Sequence, residues 1–329
     1  MKADQRFANQ PISFWAYVRA ITEALGSSRR GADQVSTFSI AQMIGALERL
    51  ERPSDLLGTP STPSQLAVEL RDYFNYRADL LNSDVRNSLM TATEAVLEFE
   101  LVKRKVGASE GVPVLRQGVQ VALDFRVGQT VVRVPMNKQK GLMRNVAYLT
   151  GMVNLLVAHS LDGKPCDYDP RKLTVIDYND SLYATLGRRM DGSYPSTRNP
   201  LAFWEIKEYY YTTTFGSKIS DAVYITSLDG YERIEIERET GTKIEHLVMV
   251  DAFDTWWGKG KSYLCRLVDL LNMGHVDEVL FGREVVDRIP TIVGGWLGRE
   301  AEAQESKIPS LDRRDPAGGV TLKYGEAES

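Results

Sequence analysis

Residues 204–214 read WEIKEYYYTTT and follow the apolar run Leu201-Ala202-Phe203. Aromatic and β-branched residues dominate, which predicts a strand, yet the stretch carries Glu205, Lys207 and Glu208. Charges in an apolar strand are costly unless they pair or hold a metal. Side chains alternate along a strand, so Glu205 and Lys207 share one face while Ile206 and Glu208 take the other. That sets a carboxylate and an ammonium side by side at the edge of a core, with Glu208 the weaker ligand candidate. The acid-x-lysine spacing also occurs at Asp162-Gly163-Lys164, a turn by composition, and at Glu305-Ser306-Lys307, in a polar tail. Only Glu205-Ile206-Lys207 lies inside an apolar strand.

A second carboxylate, Asp191, precedes Glu205 in RRMDGSYPSTRNPLAFWEIK. The intervening GSYPSTRNP is turn material that can fold two strands into a hairpin, bringing Asp191 beside Glu205. Asp177 and Asp180 in VIDYND are the alternatives, and spacing favours Asp191. Two adjacent carboxylates repel and raise each other's pKa. A hard divalent cation between them removes that cost, and oxygen ligands select Mg²⁺ or Mn²⁺. Such an ion polarises a phosphoryl oxygen and acidifies water, while Lys207 positions the water and offsets developing negative charge. These parts suit phosphodiester hydrolysis. Taken singly, Asp191-Gly192 is also a common turn dipeptide, and an exposed Glu-x-Lys pair contributes under about 1 kcal/mol.

The rest of the composition leaves little other chemistry. The two cysteines, Cys166 and Cys265, lack Cys-x-x-Cys spacing, and His159, His246 and His275 form no metal-ligand pattern. No organic-cofactor motif stands out. The 329 residues suggest more than one domain. No apolar run approaches the roughly 18 residues of a membrane span, and the N-terminus has no apolar signal region, so a cytoplasmic protein is expected. The net charge of −4 argues against indiscriminate nucleic-acid coating, but local basic groups can still bind DNA. Candidates for DNA contact are Arg188 and Arg189, Thr214 and Lys218 after the active strand, and Lys259 and Lys261 beside Trp256 and Trp257.

Patterning organises the chain around these residues. A mainly helical domain is expected over 1–135, for DNA binding or dimerisation. Its helices begin near Pro11 and, with capping-box spacing, at Ser39/Gln42, and a β-rich stretch with a turn at Gly128 closes it. An α/β unit follows over 136–300, read as α-β-β-β-α-β-α. Its helix at 142–161 is broadly apolar, and its strands are KLTVIDYN, LGRRMDGSY, LAFWEIKEYYYT and KIEHLVMVDAF. A helix over 221–241 is expected to be interrupted at Asp229-Gly230. A flexible polar tail is expected over 301–329.

MD at 190–191 followed by EIK at 205–207, on a strand hairpin preceded by a helix, resembles the PD-(D/E)xK nuclease superfamily, with Met190 where that family often has proline. The layout over roughly residues 140–285 looks like a type II restriction endonuclease. The resemblance implies a restriction-endonuclease-like α/β core, a mixed central sheet flanked by helices. It also implies Asp191 and Glu205 as metal ligands, Lys207 as the motif lysine, Mg²⁺ as cofactor and double-stranded DNA as substrate. One site per chain cutting both strands implies a homodimer.

Overall fold

The computed structural model describes residues 1–28, 32–179, 181–211 and 216–305. Three helices open the chain, α1 (Ile12–Leu25), α2 (Ile40–Arg49) and α3 (Gln65–Leu80). Pro11 stands at the start of α1, and Gly26 ends it at φ 74°. Ser39 and Gln42 form the reciprocal capping box that starts α2. These helices bury Phe14, Trp15, Leu47, Tyr73 and Phe74 in one cluster. A π-helical turn, Leu81–Val85, and a single turn α4 (Arg86–Ser88) lead on to α5 (Ala92–Lys105). Where the helices meet the rest, buried Arg77 and Tyr73 both donate to Asp269, at 2.8 and 2.5 Å.

The strands β1 (Val112–Arg116), β2 (Val119–Val127) and β3 (Thr130–Pro135) form an antiparallel sheet, with Gly128 at φ 56° in its second turn. This sheet and α5 share a hydrophobic cluster with α6 (Tyr148–Leu161), and α6 is buried along most of its length.

A five-stranded mixed sheet forms the centre. Its strands are β4 (Asp167–Tyr168), β7 (Gly192–Tyr194), β8 (Ala202–Glu208), β9 (Glu245–Asp251) and β10 (Glu278–Phe281), in the order β10-β9-β8-β7-β4. β8 runs antiparallel to β7 and parallel to β9. Helix α7 (Ser217–Thr240) covers one face. The other packs Trp204 and Ile206 against α6 and α10 (Glu284–Glu305). Between β9 and β10 lie α8 (Phe253–Trp256) and α9 (Lys261–Asn272). The coarse expectation of an α/β chain with a mixed sheet, flanking helices and a helical N-terminal region agrees with this architecture. Among the described residues no helix is long and apolar enough to cross a membrane.

Several local expectations are corrected. KLTVIDYN does form β5 (Val175–Tyr178), but β5 pairs with β6 (Ser181–Thr185) in a separate hairpin outside the central sheet. LGRRM forms no strand, and pairing begins only at Gly192. Helix α7 is continuous through Asp229-Gly230. Gly230 is there for closeness: a Cβ would lie 2.5 Å from the His275 carbonyl oxygen. Strand β10 and helix α10 were not anticipated, and α10 runs past residue 301 to Glu305. Residues 306–329 lie outside the described part.

Gly230→Ala should lower the unfolding free energy by about 2–3 kcal/mol, because the added carbon meets backbone rather than a movable side chain. Gly294→Ala in α10 meets nothing within 4 Å, and should be neutral or gain up to about 1 kcal/mol of helix propensity. Urea unfolding followed by circular dichroism reads both.

Candidate active site

The β7–β8 pairing builds the site. Gly192 lies opposite Trp204, so the residues just before and after them, Asp191 and Glu205, are brought together. Asp191 donates its N–H to the Trp204 carbonyl at 3.0 Å. Its carboxylate accepts from the Ile206 N–H at 2.7 Å. Gly192 serves packing here rather than a turn: a Cβ would sit 2.1 Å from the Trp204 indole.

Alternation along β8 places the charges as the sequence suggested. Glu205 and Lys207 are each only 7% exposed and face α7, and Lys207 Nζ donates to Glu205 Oε1 at 2.6 Å. Ile206 faces the α6 side. Glu208 shares that side and accepts from the Tyr148 and Thr150 N–H groups at 2.8 and 3.1 Å. A carboxylate at the N-terminus of α6 satisfies otherwise unpaired donors and favours the helix dipole. Glu208 is therefore committed to holding α6.

Arg188 and Asp229 complete the site. Arg188 donates to Glu205 Oε2 at 2.8 Å. It also grips Asp229 of α7 through two bonds, at 3.0 and 2.6 Å. Glu205 thus has a cation on each oxygen. Sequence reading assigned Arg188 to DNA and Asp229 to a helix break. The available signal was the i, i+4 spacing of Asp229 and Arg233 on a face with buried Thr226. Tyr209, on the same face as Lys207, was missed as well; its ring stacks on Trp256 at 5.7 Å between centroids.

The protonation of the site follows from its burial. Asp191 is pushed up to about 7, first by burial and then by the charge of Glu205, with the Ile206 N–H, Lys207 and Arg188 opposing. Asp229 is raised by burial and restrained by Arg188. Tyr209 is pushed up to about 12 by burial, with the charges of Glu205 and Asp191 adding to it. Glu208 and Asp251, neighbours across β8 and β9, are each pushed up to about 7, chiefly by burial.

The other candidates are scattered. Arg189 and Lys218 are exposed. Lys259 and Lys261 line a cavity of about 550 Å³ with Ser27, Asp33 and Trp257, and Lys261 Nζ lies 5.2 Å over the Trp257 ring. None of Asp191, Glu205 or Lys207 lines that cavity. Asp177 pairs with Arg198. Thr214 and Asp180 lie outside the described residues.

The donor set can be tested against a metal. Among the described residues no group of three or more His, Cys, Asp and Glu side chains converges as ligands. Mg²⁺ needs only one or two carboxylates when waters and phosphate complete its shell. Asp191 and Glu205 fit that demand, provided Arg188 yields its Glu205 oxygen and rests on Asp229.

A family model described as a domain of unknown function, DUF7687, matches residues 90–296. The chain belongs to the DUF7687 family. A second model, also a domain of unknown function, DUF7690, matches residues 1–84. The DUF7687 match contains the whole central sheet and every residue of the site, whereas the DUF7690 match holds α1–α3. No curated protein and no solved structure matches the chain.

Charging Asp191 costs more in the folded chain, at about 7, than at its ordinary 3.8. Its contribution to stability is full at low pH and is lost as pH rises through about 7. In metal-free protein Asp191→Asn should therefore flatten the fall in stability over that window, leaving the part due to Glu208 and Asp251. Urea titrations at a series of pH values measure the slope.

Proposed function

We propose that the chain is a Mg²⁺-dependent endonuclease that hydrolyses phosphodiesters of double-stranded DNA at a short specific sequence, as a homodimer of the type II restriction kind. The observation that supports this most is the meeting of Asp191, Glu205 and Lys207 across the β7–β8 pairing. The restriction-endonuclease-like character of the core is part of the same proposal.

Mg²⁺, with Mn²⁺ as a substitute, would polarise the scissile phosphoryl group and acidify a water. The chain's own residues do the rest. Asp191 and Glu205 would hold the ion, and Asp191 would then stay ionised near neutrality, with the ion in place of its proton. The Ile206 N–H fixes the Asp191 carboxylate in place. Lys207, held by Glu205, carries the positive charge that orients the water and offsets charge developing on the phosphate. With the ion bound, Arg188 would rest on Asp229, to which two of its three carboxylate bonds already go. Burial of Glu205 and Lys207 strengthens each of these interactions relative to water.

The full engagement of both Glu205 oxygens also suits a purely structural ion network, in which the chain binds DNA without cutting it. Incubation with phage DNA in Mg²⁺ or EDTA separates the readings. The proposal expects discrete, metal-dependent fragments, with Asp191→Ala and Lys207→Ala each slowing cleavage by about 100-fold or more. Nicking or structure-selective cutting would assign a different nuclease role, in repair, transposition or defence. Absence of cutting in Mg²⁺ and in Mn²⁺ leaves the non-catalytic reading. Mg²⁺ binding near pH 6 should also release a proton that Asp191→Asn does not release, measured calorimetrically in buffers of different ionisation enthalpy.

A further inference from the structure

Helix α7 has two faces with different duties. Its inner face carries Asp229, which holds Arg188 at the site. Its outer face carries Tyr224, Leu228, Tyr231 and Ile234, exposed by 60%, 56%, 54% and 37%. Their spacing of four, three and three residues is that of one helical stripe. An outward stripe of four large apolar side chains costs solubility unless something covers it. Arg266 holds the Tyr224 ring, with its Nη1 3.4 Å from the hydroxyl. The β5–β6 hairpin packs Ile176 with Ile236 of α7 in one cluster. On that hairpin Leu182 is a further 67% exposed, which widens the surface.

We infer that this stripe is the contact between two copies of the chain, with α7 packed antiparallel to itself about a two-fold axis. The charges on the stripe's ends select that occupant. An axis through its middle sets Leu228 against Tyr231 of the second copy, and Tyr224 against the turn holding Ile234. The same register sets Asp221, exposed near the start of α7, against Arg238 of the second copy, exposed near its end, where Asp221 would join Glu235 and Glu239 around that guanidinium. The pairing occurs twice, once on each side of the axis, as an isologous contact requires. A parallel arrangement would instead set Asp221 beside Asp221 and Arg238 beside Arg238. The 24-residue helix is about 36 Å long, and with the hairpin beside it offers the breadth of an ordinary interface of roughly 800 Å² per partner.

This inference gives an interface to the homodimer of the proposed function, and its test uses no DNA, so either can fail without the other. Light scattering after size-exclusion chromatography of the full chain should give twice the chain mass. Leu228→Glu with Tyr231→Glu should give the chain mass, with an unchanged melting curve showing that the fold is intact. Asp221→Arg and Arg238→Asp should each weaken the dimer, and mixing the two variants should restore it, because each then meets its opposite charge on the other copy. A monomeric wild type, whose stripe is left to residues 306–329 or to another protein, overturns the inference. So does a dimer that the Glu substitutions leave intact, or a mixture of charge variants that stays monomeric.

Discussion

Glu205 is a single carboxylate shared between two cations, and the surrounding structure can be traced from that sharing. One oxygen takes the Lys207 ammonium two residues along the same strand, and the other takes the Arg188 guanidinium. A buried carboxylate with one cation removed would retain the cost of its desolvation without full compensation. The network therefore requires β8 in its exact pleat, the 186–191 segment laid across it, and α7 close enough for Asp229 to hold the other end of Arg188. Three elements distant in sequence are tied to one side chain, and cation binding there would have to redistribute the same ties.

Strand β8 shows how much a two-residue period can organise. Its α7 side carries Phe203, Glu205 and Lys207, and its α6 side carries Trp204, Ile206 and Glu208. Glu208 pins the N-terminus of α6 and Glu205 pins Arg188, so both faces are fixed by carboxylates. A slip of one residue would exchange the faces, leaving α6 without its anion and the site without its acid. This explains why the strand tolerates charges that first look misplaced in a core.

Legibility from sequence followed the range of the forces involved. The capping box at Ser39/Gln42, the buried helix α6, the turn at Gly128 and the alternation of β8 are local or periodic, and each was readable. The meeting of Asp191 with Glu205 was readable because a hairpin is a short-range device. The roles of Arg188 and Asp229 were not, since they depend on α7 lying over the sheet. Helix α10 was hidden by Pro290 and the Gly294-Gly295 pair, and burial of Val285, Ile289, Val293 and Trp296 overrides those poor propensities. KLTVIDYN looked like a core strand because its alternation is genuine, but alternation does not name the partner, and β6 was the nearer one.

The contact between Gly192 and Trp204 sets a gauge. The indole occupies the volume in which any side chain at 192 would stand, and that cross-strand pair is the rung next to the one from which Asp191 and Glu205 project on the other face. The approach of β7 to β8 beside the two acids is thus set by a ring and a hydrogen atom on the opposite face. The tolerance at that rung is consequently that of core packing rather than that of a surface loop. A change in the bulk of either residue would move β7 against β8 and shift the two acids while leaving both in the sequence.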